Sequence, residues 1–427
     1  MTELFCFFGS LFFFLFLGVP IAVVLVICAV VLMVLSGSWD AMTIPNSMMD
    51  AANNYPLMAI PFFVFAGEIM AAGGLSKRVV QVAQLMVGRV KGGLGYAAIV
   101  ASVIFAGLMG SSVGEAAALG GLLLPMMQQA GYNKGRAGGL IASGAILGPI
   151  IPPSTNFIIL GSTISGLSIT RLFMIGLVPG LILGLGLMIV WWFIVRNDGY
   201  TETITFTRKE TISILLDASP AFMLPVLLLG GIRFGVFTPT EGGAFAAVFA
   251  ICVCMLYYRE LSFHELLRVS AAAARTTAVV MLIVVTASAV GYFITLARIP
   301  AHITALFTPF IDSPYVLLTM IMLFLLIAGM VMDLTPNILI FAPVFYPLIQ
   351  AAGINDYHFG LLMVLNLGIG VITPPVGTVL YVVCGIGNIK LGELVLKMMP
   401  FVLVEIAILF LLVYFPQLSL APLRWLM

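Results

Sequence analysis

The stretch Gly370-Val371-Ile372-Thr373-Pro374-Pro375-Val376-Gly377-Thr378 lies inside a long apolar segment. Two consecutive prolines there remove two backbone donors and clash with the preceding helical turn. A helix running into them must break, leaving N–H and carbonyl groups free. In hydrocarbon such backbone persists only where protein or a water-filled cavity satisfies it. The earlier stretch Gly148-Pro149-Ile150-Ile151-Pro152-Pro153-Ser154-Thr155-Asn156 has the same character. Two broken apolar segments in corresponding halves point to the binding site of a secondary transporter.

Composition defines what surrounds these breaks. Of 427 residues, 62% are hydrophobic and 8% charged, and the mean hydropathy is +1.21. A soluble domain carries roughly a quarter of charged residues, so the chain reads as an all-α polytopic membrane protein. A net charge of +1 gives no case for nucleic acid. The run from Leu4 to Leu35 is longer than a signal-peptide core and lacks an early Lys/Arg cluster, so it reads as retained membrane helix. Five cysteines sit in apolar runs without CxxC spacing, and His264, His302 and His358 lie far apart. These read as buried packing groups, without metal or disulfide chemistry.

Residues 4–36 are expected to form one tilted span, 38–54 an arm along the interface, and 55–72 a second crossing. The following loop carries Lys77, Arg78, Arg89 and Lys91 and no acidic residue, a cytoplasmic signal. From Gly92 to Met127 the apolar run is interrupted at Gly107, at Gly110-Ser111-Ser112 and at Gly114-Glu115. Each arm then has about 15 to 18 residues, roughly 25 Å and short of a crossing. Lys134 and Arg136 follow, again basic, so both ends look cytoplasmic and the segment reads as a re-entrant hairpin. Further spans are expected at 172–195, 213–232, 240–258 and 276–297, with a polar loop at 196–211 and a short amphipathic stretch at 259–270. A second interrupted segment covers 316–349, the second broken helix 358–386, and a last span 399–420. This topology leaves Arg171, Arg233, Arg298 and Arg424 outside and the other fourteen of 18 basic residues inside.

The halves repeat at a constant offset of 222. Gly107 matches Gly329, Pro125 matches Pro347, Gly131 and Asn133 match Gly353 and Asn355, Gly148 matches Gly370, and Pro152-Pro153 matches Pro374-Pro375. Each unit is a re-entrant hairpin followed by a Pro-Pro-broken helix. With one hairpin starting inside and the other outside, these are inverted repeats, which create two half-sites near the midplane.

The breaks gather Ser111, Ser112, Glu115, Ser154, Thr155 and Asn156 in one unit, and Asp333, Thr335, Asn337, Thr373 and Thr378 in the other. Free carbonyls and hydroxyls are hard oxygen ligands suited to Na⁺, and half-helix N-termini suit a substrate carboxylate. For a lone Ser, Thr or Gly the plain alternatives are a hydrogen bond to the preceding turn or close helix packing. Glu115 and Asp333 are stronger, since an intramembrane carboxylate is functional by default; Glu68 and Glu241 lie nearer span ends, where hydration or capping is expected. No Walker A run, dinucleotide fingerprint or His-Glu-x-x-His occurs, which disfavours an ATP-driven pump or a zinc enzyme.

Four stretches make a family visible. They are Ile60–Glu68, Ile150–Ser154, Gly230–Gly243 (GGIRFGVFTPTEGG) and Gly329–Pro336 (GMVMDLTP). Together they resemble the large membrane subunit of TRAP (tripartite ATP-independent periplasmic) transporters, from about residue 4 to the C-terminus. The resemblance is closest to the branch for 2,3-diketo-L-gulonate, a sugar acid; the sialic acid and C4-dicarboxylate branches also fit. It implies a multi-pass subunit of the bacterial inner membrane, working with Na⁺, membrane lipid, a separate small four-helix membrane subunit and a periplasmic solute-binding protein. It also implies an elevator-type fold, in which a transport domain slides against a scaffold. Within it, residues 1–91 would be N-terminal scaffold, 92–171 the first transport repeat, 172–315 central scaffold, 316–390 the second repeat and 391–427 a C-terminal helix. Family Na⁺ sites carry over onto Gly107, Ser111, Ser112, Gly148 and Ser154, and onto Gly329, Asp333, Gly370, Thr373 and Val376. Thr155, Asn156, Thr335, Asn337, Gly377 and Thr378 are the expected substrate contacts, and no cofactor is expected. Glu115 departs from the shorter Asp expected there. A stand-alone Na⁺/carboxylate symporter, or a polytopic membrane enzyme or scaffold, are the alternative readings.

Overall fold

The computed structural model describes residues 2–196 and 206–426, so most of the polar loop expected at 196–211 lies outside the described residues, as does the side chain of Arg424. The first half contains α1 Thr2–Phe16, α2 Ile21–Leu35, α3 Thr43–Ala52, α4 Ala59–Ala72, α5 Leu75–Val87, α6 Gly93–Met109, α7 Ser112–Gln129, α8 Lys134–Gly144, α9 Thr155–Thr163 and α10 Ile169–Arg196. The second contains α11 Arg208–Arg233, α12 Pro239–Ile251, α13 Phe263–Leu296, α14 Ile299–Phe307, α15 Pro314–Val331, α16 Leu334–Ala351, α17 Asp356–Gly370, α18 Thr378–Gly387, α19 Leu391–Tyr414 and α20 Pro416–Leu426. Eight helical segments are long and apolar enough to cross a membrane, and no strand occurs among the described residues.

The offset of 222 survives at the level of atoms. Asn133 caps α8 by accepting from the Arg136 N–H at 3.0 Å, and Asn355 caps α17 by accepting from Tyr357 and His358. Gly131 and Gly353, two residues earlier, both take left-handed backbone, φ +80° and +68°, which costs glycine nothing. Pro152–Pro153 and Pro374–Pro375 are both cis. The correspondence continues past the broken helices: α10 begins at Ile169 and α19 at Leu391, again 222 apart.

Packing follows the repeat in a crossed pattern. The return arm of the first hairpin, α7, lies on α18 of the second unit, and its counterpart α16 lies on α9 of the first. In the same way α8 packs on α19 and α17 on α10, while α2 packs on α13 and α12 on α4. Inverted repeats related by an approximate twofold produce this exchange.

Two expectations fail locally. The run 4–36 is not one tilted span but a hairpin of α1 and α2, turned at Gly18-Val19-Pro20. Gly18 has φ +77° and Pro20 precedes the first residue of α2. Each arm has 15 residues, about 22 Å at 1.5 Å per residue and shorter than a hydrocarbon core. Residues 263–270 of the stretch 259–270 are the opening turns of the 34-residue α13. Its start is fixed by a capping box: Ser262 accepts from the Glu265 N–H, and the Glu265 carboxylate accepts from the Ser262 N–H. Glu241 has the capping role expected of it, paired with Thr238 at the start of α12. Of the five cysteines only Cys28 and Cys254 are buried, and Cys252 is exposed.

Arg78 on α5 ties three elements together. It donates to Asp217 of α11 at 2.8 Å, to Glu260 before α13 at 2.9 Å and to the Gly74 carbonyl, and its guanidinium stacks 3.6 Å from the Tyr258 ring centroid. Its hydrogen bond holds the Glu260 carboxyl below the usual range. A depressed carboxyl stabilises the fold above its unfolded pKa and loses that contribution as pH falls through the folded value. Arg78→Ala should therefore cost about 1–2 kcal/mol near neutral pH, the carboxylate partners being partly exposed. The thermal midpoint of the detergent-solubilised protein should fall at pH 7 and lose part of its acid sensitivity below about pH 4.3, the usual glutamate range.

Candidate functional site

In the first unit the tip of the hairpin rests on the break of the following helix. Gly110 ends α6 with φ +62°, and Ser111 caps α7 by accepting from the Gly114 N–H at 3.4 Å. Thr155, the first residue of α9, donates its hydroxyl to the Gly110 carbonyl at 3.0 Å. A Cβ added to Gly148 would stand 2.8 Å from Glu115 Oε2 and 3.1 Å from the Ser111 carbonyl oxygen. One on Gly107 would lie 3.4 Å from the Pro152 carbonyl. Ser154 accepts from the Phe157 N–H and donates to the Pro149 carbonyl, so its hydroxyl caps both sides of the break. The Ser112 hydroxyl is buried without a hydrogen-bond partner among the described residues, and the fully buried Glu115 carboxyl lies beside the Ser102 hydroxyl and the Gly148 backbone.

The second unit repeats the contact with different groups. Asp333 stands at the N-terminal end of α16 without a side-chain capping bond, and Thr378, the first residue of α18, donates to its Oδ1 at 3.3 Å. The Val376 N–H donates to the Met330 carbonyl at 3.1 Å, while the Val376 side chain is exposed. Gly329 and Gly370 meet backbone to backbone: a Cβ on Gly370 would fall 2.5 Å from the Gly329 Cα. Gly377 has φ +54°, which lets the chain turn into α18. Thr373 donates to the Ile369 carbonyl at 2.7 Å, the plain helical bond open to any Thr, and keeps its lone pairs.

The two tips hold their carboxylates at exchanged positions. By the offset, Asp333 corresponds to Ser111 and Glu115 to Asn337. Asn337 is fully buried and donates its amide to the Met332 and Asp333 carbonyls, both at 2.9 Å. It therefore sits beneath the tip as a fastener, away from the cavity described next. Each tip thus combines one acid with one neutral polar group.

A cavity of about 370 Å³ lies where the units face each other. Ser111, Ser112, Thr155 and Asn156 line it from the first unit and Asp333 and Thr335 from the second. Gly107, Gly148, Ser154, Gly329, Gly370, Thr373, Val376, Gly377 and Thr378 do not line it; of these, Thr378 touches a lining residue through its bond to Asp333. The remaining wall comes from α4 and α13, with Gly67, Glu68, Thr276 and Val280. Glu68 and Thr276 were missed as site residues. The signals for Glu68 were a carboxylate in an apolar helix and its place at the end of the family stretch Ile60–Glu68, and none marked Thr276, which reaches the site through tertiary packing.

Two hairpin tips that meet at one cavity between inverted repeats, each tip resting on the break of the helix that follows it, define a secondary membrane transporter. Within that class, the chain belongs to the family described as the tripartite ATP-independent periplasmic transporter, DctM component, which matches residues 8–418. It is 44% identical over 409 residues to the 2,3-diketo-L-gulonate TRAP transporter large permease protein YiaN of Escherichia coli K12, covering 96% of each chain. It is 34% identical to the sialic acid TRAP transporter large permease protein SiaM of Vibrio cholerae, covering 95% of each. The crystal structure of the Alcanivorax borkumensis YdaH transporter has the same fold at 15% identity, with a TM-score of 0.64 over 87% of this chain and 86% of that one. Membership makes the chain a multi-pass permease subunit, and the family implies a small membrane subunit and a periplasmic binding protein as partners.

Proposed function

We propose that this permease imports a sugar-acid carboxylate of the 2,3-diketo-L-gulonate kind across the bacterial inner membrane, driven by Na⁺ and fed by the binding protein. One observation carries the reading: the tips of both repeats meet at one cavity, Ser111 and Ser112 from the first and the Asp333 carboxylate from the second, with Thr155 and Asn156 of the first break beside them. Glycine contacts at 107 and 148, and at 329 and 370, bring carbonyls of the tip and the break together. With the oxygens of Ser111, Ser112 and Ser154, and of Asp333, Thr373 and Val376, they supply one Na⁺ site per repeat. The carboxylate of the cargo rests between them, near Thr155, Asn156 and Thr335, at the opening turns of α9 and α16. Filling both cation sites pins each tip to its break, and the loaded unit then moves as an elevator against α2, α4, α12 and α13. The identity to YiaN supports the cargo class.

The test is reconstitution of the chain with its small subunit in proteoliposomes, with substrate-loaded binding protein outside. Uptake of 2,3-diketo-L-gulonate should require an inward Na⁺ gradient and stop when K⁺ replaces Na⁺. Equal uptake without the binding protein would instead identify a stand-alone symporter.

A further inference from the structure

The larger cavity of the molecule lies away from the helix breaks. It measures about 780 Å³ and is walled by α3, the end of α9, α13, the junction into α14, and α16. Its lining is rich in hydroxyls and amides, including Ser47, Asn54, Ser162, Thr163 and Ser288. Two lining residues are charged, Asp50 and Arg298. They form no ion pair with each other, and neither side chain has a hydrogen bond or ion-pair partner among the described residues. Arg298 caps α14 with φ +52°.

This cavity shares three walls with the smaller one. Along α13, Thr276 and Val280 face the smaller cavity, and Val284, Gly291 and Thr295 face the larger. Steps of four and seven residues keep these positions on one helical face, and Thr276 to Thr295 covers about 28 Å at 1.5 Å per residue. On α9 the order is Thr155 and Ile159, then Ser162 and Thr163; on α16 it is Leu334 and Thr335, then Leu339 and Pro343. The same three helices therefore run past both cavities, as a track would.

We propose that the larger cavity is a receiving site for the cargo and that its two charges select a polyhydroxylated monocarboxylate. The Arg298 guanidinium takes the carboxylate as a two-pronged donor. The Asp50 carboxylate is an acceptor, and the hydroxyls of a sugar chain supply the donors it needs. A simple dicarboxylate presents Asp50 with a second anion instead and is turned away by like charge. This inference rests on the transport reading above and specifies the substrate class at the entrance of that path.

The experiment uses the full reconstituted transporter, with 2,3-diketo-L-gulonate as cargo and succinate as soluble competitor. Arg298→Asn removes the charge with a residue that tolerates left-handed backbone, so the fold is kept; Arg298→Lys keeps the charge. Uptake at sub-saturating cargo should fall about tenfold in Arg298→Asn, the loss of one carboxylate contact, and recover at least half in Arg298→Lys. Excess succinate should leave wild type unaffected and slow Asp50→Asn at least threefold relative to its own uninhibited rate. Arg298→Asn uptake within twofold of wild type would overturn the proposal, as would succinate failing to slow Asp50→Asn. Restoration of the Arg298→Asn rate by more binding protein would assign Arg298 to docking of that protein, and the cargo assignment would fall. Absence of Na⁺-driven uptake by wild type would fail the transport reading itself, a separate outcome.

Discussion

On the proposed Na⁺-coupled mechanism, Asp333→Ala should abolish uptake while the protein still inserts and keeps its thermal midpoint. Asp333 is the single carboxylate at the tip of the second hairpin, and it faces the cavity. Among the described residues its side chain bonds to the Thr378 hydroxyl, a neutral donor that brings no opposite charge to the carboxylate. Losing one charge-assisted contact costs about 1.5–3 kcal/mol, roughly ten- to a hundredfold in cation affinity. Asp333→Asn separates charge from shape, because the amide oxygen can still accept from Thr378. Both variants should therefore raise the half-saturating Na⁺ concentration beyond the usable range. Wild-type Na⁺ dependence in Asp333→Asn would mean the charge is not the ion's ligand.

Gly370→Ala should have the second largest effect, through packing alone. Its Cβ would meet the Gly329 Cα and carbonyl carbon at 2.5 Å. These are backbone atoms and cannot swing aside like a side-chain end. Overpacking of this kind costs about 1–3 kcal/mol, sometimes more, and here it pries α15 from α17 where tip and break meet. A lower thermal midpoint is expected together with at least tenfold weaker Na⁺ activation. Gly385→Ala on α18 is the control: nothing lies within 4 Å of its Cβ, and helix propensity favours Ala by about 1 kcal/mol. Equal thermal and Na⁺ profiles for the two variants would refute the close-approach argument.

The parts of this fold legible in the sequence are those written by local chemistry. Pro-Pro in an apolar run must break a helix, and an offset shared by Gly107, Asn133, Gly148 and Pro152 can be read without a structure. The membrane-spanning class and the two tips followed from them. The turn at Gly18-Val19-Pro20 was hidden because its flanks are so apolar that length alone suggested one span. Residues 263–270 looked amphipathic, but the Ser262–Glu265 cap starts a helix that nothing interrupts until α13 is complete. The roles of Glu68 and Thr276 depend on how α4 and α13 lie against the hairpins, a long-range matter that no spacing encodes. Asn337 carried the right chemistry for a substrate contact, yet its amide is spent on the carbonyls beneath the tip.

The crossed packing of the two units bears on how the protein is made. Chains enter the membrane from the N-terminal end, so α7 and α9 are in place long before α18 and α16, the surfaces that cover them. Until then the first hairpin tip leans on a half-built wall. The first unit cannot mature alone, and a ribosome must pass residue 387 before either half-site has all its neighbours.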